Sequence, residues 1–107
     1  MSLDFYLNRT QPVEVFSRNI THNLSKMAEE AGIYKHLWHP DQIGITKAYE
    51  LIKPLTIGLE LLKSDPKRFE KFNAPNGWGM YEHFVPFVEA CLAACVEFQD
   101  ADVRTST

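Results

Sequence analysis

At the start of the chain Leu3, Phe5 and Leu7 alternate with Asp4, Tyr6 and Asn8. An apolar residue at every second position marks a half-buried strand. Arg9-Thr10-Gln11-Pro12 carries turn chemistry, and Val13-Glu14-Val15-Phe16-Ser17 returns to β-forming residues. The favoured reading is an N-terminal hairpin. A competing one opens a long helix at Pro12, a good first helical position. Phe16, Ile20, Leu24, Met27 and Ala31 do keep helical spacing, so residues 12–18 read as strand or as helix, with the β-formers favouring strand.

Under the hairpin reading, Asn19 is the N-cap of a helix over about 20–31, and Gly32 is its left-handed stop. Ile33 to Trp38 reads as a single aromatic turn ended by His39-Pro40. Ala48, Leu51, Ile52, Leu55, Leu59 and Leu62 form one apolar stripe of a helix from about Thr46 to Lys63. Pro54 sits inside that stripe, which predicts either a kink or two successive helices. Ser64-Asp65-Pro66 opens a short helix through Phe69 and Phe72. The clearest loop is Asn73 to Gly79. A last helix over about 80–99 presents Tyr81, Phe84, Val85, Val88, Cys91, Leu92, Cys95 and Val96 inward. Asp102 to Thr105 is a candidate C-terminal edge strand. The sum is an α+β fold, with three to four helices packed on a small antiparallel sheet, in one domain over residues 1–107.

Composition changes this picture little. Hydrophobic residues make up 45% of the 107, ordinary for a globular chain. The net charge of −3 is spread along the sequence. The densest basic stretch, Lys63, Lys67, Arg68 and Lys71, is interrupted by Asp65 and Glu70. No nucleic-acid partner is expected from such a balance, because phosphate binding needs a concentrated basic face. No apolar run reaches the ~18–20 residues of a membrane span, so no membrane is expected. Met1-Ser2-Leu3-Asp4 has an early acid and no secretion-signal core, which makes the cytoplasm the expected location. Cys91 and Cys95, four apart on one helix face, read as two small buried apolar groups rather than a disulfide.

Candidate chemistry is sparse. The sequence holds no phosphate-binding glycine loop, no nucleophile elbow and no metal-binding His or Cys pair of the usual spacing. No catalytic residue, cofactor or metal ligand is assigned, and the reading turns away from an enzyme. Glu14, Glu29, Glu30, Glu50, Glu60, Glu82 and Glu89 fall mostly on polar helix faces. Two clusters remain. Asn19, His22 and Asn23 bring mixed donors and acceptors to the start of the first predicted helix, with Asn23 on its inner flank and His22 nearer solvent. A polar side chain on such a flank needs a specific partner. Asn76-Gly77-Trp78-Gly79 holds an indole between two glycines, and Tyr81 follows one turn later. Trp78 is then either a core plug, the commoner fate of an aromatic residue in a small domain, or a platform on which a planar ligand stacks.

The segments Asn19 to Tyr34, Ala74 to Tyr81 and Asp100-Ala101-Asp102-Val103 resemble a group of small accessory proteins of tailed bacteriophages and prophages, across nearly the whole chain. The resemblance brings no activity and no functional residue with it. It implies a protein made in the cytoplasm of a bacterial host, of a kind that binds host factors or sequesters small molecules. Two functions are therefore weighed. The first is a non-catalytic binding protein that sequesters a nucleotide-like or other planar ligand, a counter-defence role, through Asn19, His22, Asn23, Asn76, Trp78 and Tyr81. Its anionic form needs Arg18, Lys26 or Lys35 to gather at the site. The second is a protein-interaction inhibitor or oligomeric adaptor acting on a host protein through exposed edges at Leu3–Leu7 or Asp102–Thr105. A small metal-dependent hydrolase is a third, and it requires His22 or His83 to meet a carboxylate in a cleft.

Overall fold

The computed structural model describes residues 2–9 and 13–107. Strand β1 (Ser2–Arg9) lies between β2 (Val13–Thr21) and β3 (Asp102–Ser106), both antiparallel to it. Leu3, Phe5 and Leu7 are wholly buried while Asp4, Tyr6 and Asn8 are half-buried, the alternation that the first residues predict. The hairpin reading therefore holds over 13–18; the turn residues Thr10, Gln11 and Pro12 lie outside the described residues.

Five helices among the described residues complete the α+β fold: α1 (Ser25–Glu30), α2 (Tyr34–Trp38), α3 (Tyr49–Ser64), α4 (Pro66–Glu70) and α5 (Tyr81–Glu97). Only α3 and α5 are long; they pack on each other, α5 reaches β2, and α2 reaches β1 and β3. The core between them contains Trp38, Phe5, Phe69 and Phe84, all wholly buried. Proline does not split α3: the helix runs through Pro54 with Leu51, Leu55, Gly58 and Leu62 buried. Gly58 is required there, since a Cβ would lie 2.6 Å from Ile33 Cγ2. In α5 the buried face is Phe84, Phe87, Val88, Cys91, Ala94 and Cys95, so the stripe is turned slightly from the predicted one, and Val96 is exposed.

The largest correction falls at residues 19–24. Asn19 does not cap a helix. It sits inside β2, paired with Asp4, and Ile20 is buried opposite Leu3. The strand continues to Thr21, whose hydroxyl accepts from the Asn23 N–H and caps a 3₁₀ turn, His22–Leu24, that leads into α1. Burying Ile20 on the sheet and bonding Asn19 to Asp4 hold this stretch extended against its local helical spacing. Gly32 does close the α1 segment with φ +79°.

Candidate functional site

The end of β2, the 3₁₀ turn and the glycine loop face one another across an open groove of about 590 Å³ lined by Ser2, Asn19, Thr21, His22, Asn23, Asn76 and Trp78. Its size falls within the range of small-ligand sites, roughly 300–1,000 Å³. One contact holds the loop there and another shapes it from within. The Asn23 side-chain amide donates to the Trp78 carbonyl oxygen at 2.8 Å, and Asn76 Oδ1 accepts from the Trp78 N–H at 3.0 Å. Gly79 allows the approach, because a Cβ on it would stand 2.9 Å from Asn23 Cβ.

Trp78 is 71% exposed, so the indole is no core plug. The loop's backbone hydrogen bonds, Ala74 N to Gly79 O and Gly77 N to Ala74 O, turn the segment outward. The plug is Trp38 instead, wholly buried, with Tyr34 stacked on it at a ring distance of 5.5 Å. Trp38 Nε1 donates to His22 Nδ1 at 3.1 Å. That bond joins the groove to the core and fixes the orientation of the imidazole.

Of the six residues singled out from sequence, Asn19, His22, Asn23, Asn76 and Trp78 line this groove, and Tyr81 does not. The Tyr81 phenol donates to the Leu62 carbonyl at 2.7 Å, and its backbone N–H donates to Asn73 Oδ1 at 2.7 Å. It therefore fastens the start of α5 to the end of α3, and burial raises its pKa. Asn23 is exposed rather than on an inner flank, since the turn that carries it is not the predicted helix. Ser2 and Thr21 are additions, brought in because they pair across β1 and β2. The signal for them is cross-strand register, which a hairpin with an undetermined turn does not specify.

The remaining reactive groups are dispersed. Cys91 and Cys95 are free and buried, and burial pushes the Cys95 thiol up to about 12 and Cys91 well above its ordinary value. Both are protonated, inert groups of the core. His36 is half-buried with Nδ1 unpartnered among the described residues, and desolvation lowers its pKa. Among the described residues, no three His, Cys, Asp or Glu side chains gather to hold a metal. His22 meets an indole rather than the carboxylate that the hydrolase reading requires. No helix among the described residues is long and apolar enough to cross a membrane.

No protein-family model, curated protein or solved structure matches this chain.

Proposed function

We propose that the protein is a non-catalytic binding module that captures a planar small molecule in the groove between the 3₁₀ turn and the glycine loop. The observation that carries this reading is Trp78: an indole 71% exposed, on a loop bonded at both its N–H and its carbonyl to groove side chains. A large apolar ring presented to water from an anchored backbone is a ready stacking surface. Around it stand polar side chains whose protein partners occupy only part of their hydrogen-bonding capacity. The resemblance to phage accessory proteins adds a setting, the cytoplasm of an infected bacterium, and a purpose, sequestration of a host signal. Pairing of a strand edge with a host protein or a second copy is the competing reading. The free edge it requires is β2, which carries features that obstruct pairing.

Titration calorimetry of the protein against a panel of nucleobases, nucleosides, nucleotides and unrelated planar aromatics tests the reading. At least one class is expected to bind saturably. Trp78→Ala should weaken it by about 1–3 kcal/mol, roughly 5- to 150-fold, the worth of a base stacked on an aromatic ring. The same variant should unfold within about 0.5 kcal/mol of the parent, as exposed positions do. No heat with any member of the panel would remove the proposal.

A further inference from the structure

We infer that the groove selects an uncharged heterocycle with a hydrogen-bond acceptor and a donor on adjacent atoms of one edge, as in a nucleobase or its nucleoside, over the phosphorylated form. The inference rests on the reading of the groove as a planar-ligand site and specifies its ligand. Charge comes first. Ser2, Asn19, Thr21, His22, Asn23, Asn76 and Trp78 line the groove, with no lysine, arginine or carboxylate among them. Arg18, Lys26 and Lys35, the cations that an anionic ligand needs, do not line it. The charge in closest contact with the lining is negative: Asp4 Oδ1 lies 2.6 Å from Asn19 Nδ2. A phosphate placed here meets repulsion and no counter-charge.

Hydrogen-bond chemistry then fixes what the walls offer. A carbonyl only accepts and a backbone N–H only donates, so the partners settle the orientation of each amide. Asn23 gives its Nδ2 to the Trp78 carbonyl and keeps Oδ1. Asn19 gives its Nδ2 to Asp4 and Ser2 Oγ and keeps Oδ1. Asn76 gives its Oδ1 to the Trp78 N–H and keeps Nδ2. The Trp38 indole is a donor only, so His22 Nδ1 is the acceptor and neutral His22 carries its proton on Nε2. Among the described residues these four remaining positions have no partner. Two are donors, His22 Nε2–H and Asn76 Nδ2, and two are acceptors, Asn23 Oδ1 and Asn19 Oδ1. An edge that sets an acceptor beside a donor answers both kinds while the ring face lies on Trp78; the ring carbonyl and N–H of uracil or guanine form such an edge, and so do the ring nitrogen and exocyclic amine of adenine or cytosine.

The test titrates the full-length protein with uridine, guanosine, adenosine, cytidine, the four matching 5′-monophosphates and a set of non-nucleoside planar aromatics. At least one nucleoside should bind saturably, and each monophosphate should bind more weakly than its nucleoside. Asn76→Asp keeps the oxygen that holds the Trp78 turn but replaces the groove donor with a charged acceptor. It should fold like the parent and weaken the bound nucleoside by roughly tenfold. A monophosphate that outbinds its nucleoside overturns the uncharged ligand. Nucleoside binding that Asn76→Asp leaves unchanged overturns the edge recognition and leaves the stacking site standing. Binding only of non-nucleoside aromatics overturns this inference alone, whereas silence from every compound overturns the planar-ligand reading on which it rests.

Discussion

Gly79 shows how closely the two walls of the groove depend on one another. Its φ of +112° is one that side-chain-bearing residues avoid, and an added Cβ would press on Asn23 Cβ at 2.9 Å and Thr21 Cγ2 at 3.3 Å. Gly77 also has positive φ, +78°, but an added Cβ there meets nothing within 4 Å. The pair separates backbone strain from packing. Gly77→Ala should cost about 1–2 kcal/mol, the left-handed penalty alone. Gly79→Ala should cost more than that, since it also pushes the loop off Asn23 and breaks the Asn23–Trp78 hydrogen bond. Urea denaturation of both variants measures the difference. Equal losses would mean that the seat of Gly79 against the 3₁₀ turn contributes nothing.

Long helix α3 begins against the segment that joins α5 to β3. The N–H groups of Ala48 and Tyr49, which a helix start leaves without partners, donate to the carbonyls of Ala101 and Gln99 at 2.9 and 3.0 Å. Glu50 folds back to accept from the N–H groups of Lys47 and Thr46 at 2.9 and 3.0 Å. These hydrogen bonds, Lys47's first, hold the Glu50 carboxyl below its ordinary 4.5. A lowered folded-state pKa stabilises the fold fully above the unfolded value and loses that contribution as pH falls through the folded one. Stability of the parent should therefore decline as pH drops below 4.5, and Glu50→Gln should flatten that decline in thermal melts taken across the acid range. A variant as acid-sensitive as the parent would take the effect away from Glu50. The two long helices were legible because their apolar stripes are local periodicities, as in Leu51, Leu55 and Leu62. Asn19 was not, because its choice between capping and strand pairing is made by Asp4, on the other arm of the hairpin. The exposure of Trp78 is likewise set by Asn23, 55 positions away. Tyr81 keeps the spacing of the α5 core face, but its partner is the Leu62 carbonyl of another helix, which no periodicity announces.

The sheet order β2-β1-β3 decides which strand another molecule can reach. Both sides of β1 are taken, so Leu3–Leu7 offers no edge, contrary to the expectation from its alternating pattern. The outer flank of β3 is partly covered, since Val103 N–H donates to the Thr46 carbonyl at 2.9 Å and Lys47 bridges to Asp102. That leaves β2, nine residues long and, among the described residues, laddered only to β1. Two features obstruct it. The register slips between Leu7 and Asn8, whose partners Phe16 and Glu14 leave Val15 unopposed, a bulge that disturbs any further ladder. Arg18 folds its guanidinium 4.7 Å over the Phe16 ring and donates to the Ser17 carbonyl at 2.8 Å, placing a charge on the open strand. The protein is therefore expected to run as a monomer at micromolar concentration. Arg18→Ala, which uncovers Phe16 beside the edge, should raise the weight-average mass with concentration in light scattering. A parent already dimeric, and unmoved by Arg18→Ala, would show the edge to be occupied in solution. It would also shift the function from the Trp78 groove to the strand.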